Sequence, residues 1–164
     1  MSNRHAIVQF FKLIDRAQQY RLPVAIHTGF GPAEIWDPPA SVVALAAEYP
    51  EVRFVMLHMG SGVNLSLSSF GINQAIEGAW RHDNIYLDTT SMPYPKKVKE
   101  AVERVGSERV LFGTDNGGWD REYDGQGGNE MEHEMDKIKY AGLNRKDYEN
   151  VMGRSAAILL SIKL

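Results

Sequence analysis

Residues 53–60 read RFVMLHMG, and this stretch decides the fold. Phe54 to Leu57 is an unbroken apolar run, too short for a helix, closed by a polar turn at His58-Met59-Gly60. A strand with one wet face alternates apolar and polar residues. A parallel strand covered on both faces reads as a continuous apolar run. The same shape recurs in residues 23–29 as PVAIHTG, in 84–91 as NIYLDTTS and in 108–115 as ERVLFGTD. Strands are therefore expected at Val24–Ile26, Arg53–Leu57, Asn84–Leu87 and Arg109–Phe112.

The stretches between them carry helical periodicity. Ile7, Phe10, Phe11, Ile14 and Ala17 recur at helical spacing around Lys12, Asp15 and Arg16, which predicts a helix over Asn3–Tyr20. Ser41 reads as the cap of a helix through Tyr49, stopped by Pro50. Further helices are expected over Leu65–Arg81 and over Pro95–Val105, with Val98, Ala101, Val102 and Val105 on one face. Two more close the chain, Glu130–Tyr140 ending at Gly142, and one behind Asn144 running to Ile162. Gly29–Pro39 and Asn116–Asn129 read as loops. One helix followed by four strand–helix units is an α/β pattern with a parallel sheet.

The 164 residues suit one domain, 1–164, with room for a core. With 43% hydrophobic and 24% charged residues and a net charge of -3, the chain has an ordinary globular balance and no broad basic footprint for nucleic acid or an anionic membrane. No apolar run approaches the ~20 residues of a membrane helix. Charges at Lys12, Asp15 and Arg16 argue against a signal peptide. There is no cysteine, which suits the cytoplasm and excludes disulfides and thiolate metal sites. Any metal must be held by His, Asp, Glu or backbone oxygens.

Three of the four strands end in such a residue: His27, His58 and Asp115. In parallel α/β folds ligands bind beyond the carboxyl ends of the strands. Two imidazoles and a carboxylate suit Zn²⁺, Mn²⁺ or Fe²⁺, which would bring the pKa of a bound water toward ~7. Each residue also has a plainer reading. His27 can be a core histidine, His58 part of a tight turn and Asp115 a loop cap. Asp88 also ends a strand, but Thr89, Thr90 and Ser91 favour a local cap, so it reads as structural or substrate-contacting. His5, His82 and His133 read as surface residues. Trp36, Trp119 and Tyr123 sit on loops at the same end and are candidates to line a substrate pocket. The glycines at 117, 118, 125, 127 and 128 are candidate lid hinges, not a phosphate loop.

In this order and at these intervals, PVAIHTG, RFVMLHMG, NIYLDTTS and ERVLFGTD resemble the second half of the amidohydrolase-related family, metal-dependent hydrolases and decarboxylases on a (β/α)₈ TIM barrel. The resemblance covers nearly the whole chain and implies a partial barrel. It implies that His27 is the metal histidine ending the fifth barrel strand. His58 would be the histidine ending the sixth, contacting the metal or its water. Asp115 would be the aspartate ending the eighth, a metal contact and general base. The implied activity is metal-dependent hydrolysis of a carbonyl-type small molecule, with Zn most expected; decarboxylation on the same site and a non-catalytic half-barrel module are the alternatives. Residues 153–160, GRSAAILL, resemble the closing helix, with Ser155 and Ile158 where the family usually carries Asn and Arg, which implies relaxed packing or solvation there.

The family's first strand supplies a His-x-His pair, and no His-x-His occurs in this sequence. A whole barrel takes eight strands and ~250 residues. Four strands leave open edges, so the expectation is either a homodimer of half-barrels or an N-terminal half supplied from elsewhere.

Overall fold

The computed structural model describes residues 3–30, 36–61, 65–91, 93–115 and 130–163. Its centre is a four-stranded sheet built from β1 (Val24–His27), β4 (Phe54–Leu57), β5 (Ile85–Asp88) and β6 (Val110–Leu111) in the order β1-β4-β5-β6. Every neighbouring pair is parallel, with Val24 opposite Phe54, Phe54 opposite Ile85 and Leu87 opposite Val110. Helix α1 (Asn3–Tyr20) precedes the sheet, and α2 (Pro39–Glu48), α3 (Leu65–Arg81) and α4 (Pro95–Val105) connect its strands. Parallel pairing requires such crossovers, since a tight turn reverses direction.

The two sheet faces have different fates. Val24, Ile26, Phe54, Met56, Ile85, Leu87 and Val110 point to one face and merge with Ile14, Val42, Ile72, Ile76, Val98 and Ile138 in the main core. The alternate residues Val55, Leu57, Tyr86 and Leu111 point to the other face, where Ala156 and Leu159 cover them. That face is thinly covered, and Ala25 on it is exposed. His27 and Asp88 follow Ala25 and Tyr86 by two residues, so they share this face at its carboxyl end.

Helix ends depart in part from expectation. Ser41 is not the cap of α2. The helix starts two residues earlier at Pro39, with Pro38 as an extended N-cap that makes no side-chain bond. Proline suits the first turn, where its missing N–H has no partner to lose. The segment 29–39 is not all loop: β2 (Gly29–Phe30) pairs antiparallel with β3 (Trp36–Asp37). The last helix is broken. After α5 (Glu130–Tyr140) come α6 (Arg145–Glu149), a π-turn over Asn150–Arg154 and α7 (Ser155–Leu159), with non-helical dihedrals at Gly153. Asn144 caps α6 as expected, accepting from Asp147 N–H at 3.0 Å.

Of the two departing positions at the C-terminus, expected to be loosely packed or solvated, one is tightly packed and the other solvated. Ser155 is buried and its hydroxyl donates to Ser107 C=O at 2.9 Å, while Ile158 faces solvent. Ser107 Oγ donates in turn to Asp147 Oδ1 at 2.6 Å and accepts from Asn150 Nδ2 at 2.9 Å. The segment also reaches the sheet edge: Phe112 N–H donates to Val151 C=O at 2.9 Å. The edge at β6 is therefore not bare. No helix of the described residues is long and apolar enough to cross a membrane.

Candidate functional site

The carboxyl ends of β1 and β4 are stapled together by Thr28. Its buried hydroxyl donates to Leu57 C=O at 2.7 Å and accepts from Gly60 N–H at 2.9 Å. Gly29 follows with φ 109°, and a Cβ there would lie 1.4 Å from Ser61 C=O, so only glycine fits. This staple brings the two strand-end histidines side by side. The rings of His27 and His58 lie 4.8 Å apart, edge to face at 68°.

His58 is held by the end of β5. Its N–H donates to Asp88 Oδ1 at 3.2 Å, and the same oxygen accepts from Thr90 N–H at 3.1 Å. His58 Nδ1 lies 3.3 Å from Thr90 C=O. Burial raises the pKa of Asp88, and bonds from the Thr90 hydroxyl and from the His58 and Thr90 amides pull the other way. Gly113 closes the arrangement, since a Cβ there would meet Thr90 Oγ1 at 2.2 Å and Asp88 Oδ2 at 2.3 Å.

The backbone is strained around the site. His58, Met59, Ser91 and Asp115 have φ of 61°, 47°, 51° and 48°, in the left-handed region that L side chains rarely adopt. Such outliers gather where tertiary contacts over-determine a functional geometry.

Although solvent reaches His27, the desolvation it does suffer lowers its pKa, and the neighbouring His58 lowers it further. Asp37 and Asp115 act in the opposite sense, which puts both carboxylates in the electrostatic surroundings of His27. A neutral imidazole is the form that binds a metal. Of the three strand-end residues, the structure thus brings His27 and His58 into contact and leaves Asp115 at the exposed rim. Among the described residues no three His, Asp or Glu side chains gather closely enough to hold an ion. The donor types fit a divalent metal, but they make only part of the four-ligand shell usual for zinc.

Asp37 was not singled out by the sequence. Its place across from Gly29 depends on the β2–β3 ladder, which has no strong local signal. Asp88, read as a local cap, does cap the Thr90 turn, and it also reaches across to His58. His133 is exposed in α5 and His82 is half-buried at the end of α3. The side chains of His5 and Trp36, and all of Trp119, Tyr123 and the glycines at 117–128, lie outside what the structure describes.

A family model described as Amidohydrolase matches residues 3–162. No curated protein matches the chain. Among solved structures, the chain is similar to an amidohydrolase 2 from Bifidobacterium longum subsp. infantis, at 17% identity and a TM-score of 0.62, over 92% of this chain and 54% of that one. It is similar to a dihydroxybenzoic acid decarboxylase from a Polaromonas species with bound manganese and the inhibitor 2-nitroresorcinol, at 17% identity and a TM-score of 0.59, over 94% and 54%. An amidohydrolase from Burkholderia multivorans with bound zinc matches at 11% identity and a TM-score of 0.65, over 92% and 56%. The chain spans about half the length of these structures.

Proposed function

Because the chain belongs to the amidohydrolase family, we propose that it carries one half of a metal-dependent hydrolytic site and acts on a carbonyl-type small molecule. The contact between His27 and His58 at the carboxyl ends of parallel strands carries this reading. A divalent ion, Zn²⁺ ahead of Mn²⁺ or Fe²⁺, would be held by His27, His58 and Asp115. When bound, such an ion lowers the pKa of water toward ~7 and polarises a carbonyl. Asp115, exposed at the rim, accepts the proton of the attacking water. His58 either accepts a hydrogen bond from that water or donates one to the developing oxyanion. The missing ligands come from a complementary half-barrel, either a second copy of this chain or a further segment of polypeptide.

Decarboxylation on the same site is the second reading, favoured by the likeness to a manganese-containing decarboxylase of the same fold. Elemental analysis of protein purified without chelator tests both. About one divalent ion per site, lost in His27→Ala and Asp115→Ala, is the expected result. Ester, lactone and aromatic carboxylate substrates then separate the two reactions. A chain that takes up no metal even after soaking with Zn²⁺ or Mn²⁺, alone and with its complementary half, would overturn the proposal.

A further inference from the structure

We infer that Asp88, Thr90 and Gly113 form a clamp that fixes His58 as the Nδ1–H tautomer, leaving the Nε2 lone pair as its working face. Thr90 C=O lies 3.3 Å from His58 Nδ1. A carbonyl only accepts, so in neutral His58 the hydrogen of this pair sits on Nδ1. Nε2 is then bare and cannot donate.

The carbonyl keeps its position because Asp88 holds the residues on both sides of the contact. One carboxylate oxygen takes the N–H of Thr90 and the N–H of His58, at 3.1 and 3.2 Å. The second of these bonds anchors His58 at φ 61°, a conformation that its own side chain disfavours. Asp88 and Thr90 are both buried, so water does not compete for them. Gly113 is the wall: any side chain there would strike Thr90 Oγ1 and Asp88 Oδ2 together. Three residues from two strand ends thus converge on one ring whose own strand does not fix it.

The consequence for chemistry rests on the proposed function. That reading leaves His58 two roles, and the clamp selects one. A bare Nε2 binds a metal or accepts from water, whereas a neutral ring in this tautomer offers an oxyanion nothing. Asp88 acts as a positioning residue and touches no reacting atom.

The test reads the ring, not the activity. The chain, labelled with ¹⁵N at histidine, is examined by long-range ¹H–¹⁵N spectroscopy at a pH of about 8, where imidazoles are neutral. His58 is assigned by its loss in His58→Gln. In the unaltered chain the Nδ1–H form should predominate. Asp88→Ala should turn it into the minority, because a ring free in water favours hydrogen on Nε2. Asp88→Asn keeps the accepting oxygen and should restore the original form. If Asp88→Ala does not fold, Thr90→Val removes only the hydroxyl bond to Asp88 and should raise the Nε2–H share. Hydrogen on Nε2 in the unaltered chain would overturn the inference, as would an unchanged tautomer in folded Asp88→Ala or in Thr90→Val. An Nδ1–H ring in a chain that binds no metal, alone and with its complementary half, would leave the clamp standing and remove the metal-dependent reading alone.

Discussion

His27 is where two opposed influences meet. Partial desolvation and His58 push its pKa below the ordinary ~6.5, while Asp37 and Asp115 pull it up. In metal-free protein its titration, followed by NMR, should therefore have a midpoint below 6.5. His58→Gln should move that midpoint up, and Asp37→Asn or Asp115→Asn should move it down. Above the unfolded value both states hold His27 neutral and nothing is lost. As pH falls through ~6.5, the unfolded chain takes a proton that the folded site refuses, so stability drops until the folded value is passed. His27→Gln should flatten that slope. Gly29→Ala meets a backbone carbonyl and a positive φ together, and should lower stability by roughly 3 kcal/mol or more in urea unfolding. At this scale the strand-end positions of His27 and His58 were legible, because strand ends show in the apolar runs, whereas β6 stops at Leu111, short of Asp115. Asp37 was not, since it depends on a two-residue ladder.

Secondary-structure elements here end on specific side chains. Arg109 Nη1 donates to the carbonyls of Ala79, His82 and Ile85, and Nη2 to Val105, which closes the ends of α3 and α4. Arg109→Met leaves these carbonyls without that donor and should cost about 2–3 kcal/mol. Its ion pair with fully exposed Asp83 adds little. Asn84 does similar work beyond α2, with Nδ2 near the carbonyls of Ala46, Tyr49 and Val52. Asn144→Ala should cost about 1 kcal/mol in the same unfolding experiment. Asn144 was readable as a cap because Asp147 stands three residues on. Arg109 read only as the start of a strand, since its bonds are to residues distant in sequence. The end of α2 was readable from Pro50. Its start was misplaced to Ser41, because serine is the commoner cap and Pro39 read as the end of the loop. The break at the π-turn escaped the periodicity of the last helix, which continues on either side of Gly153.

For the whole molecule, four parallel strands and their crossovers were predictable from continuous apolar runs separated by helical periods. The covering of the second face was not, because Ala156 and Leu159 reach it only through the broken last helix. What stays open is the side carrying β1 and α1. Ile7 is 51% and Leu13 68% exposed, with Val8, Phe10 and Phe11 beside them, and among the described side chains of this helix Ile14 alone is buried in the core. If a second copy supplies the complementary half, sedimentation should show assemblies at micromolar concentration, and Leu13→Glu should shift them to monomer with a change in monomer stability within about 0.5 kcal/mol. A monomeric unaltered chain would exclude the homodimer. The left-handed residues beyond the carboxyl ends of the strands have a further consequence. His58, Met59, Ser91 and Asp115 hold conformations that glycine or asparagine would adopt at lower cost. Laboratory evolution rewarded for heat tolerance alone would be drawn to that rim first, relaxing it residue by residue. The resulting lineages would become hardier as they drifted away from chemistry.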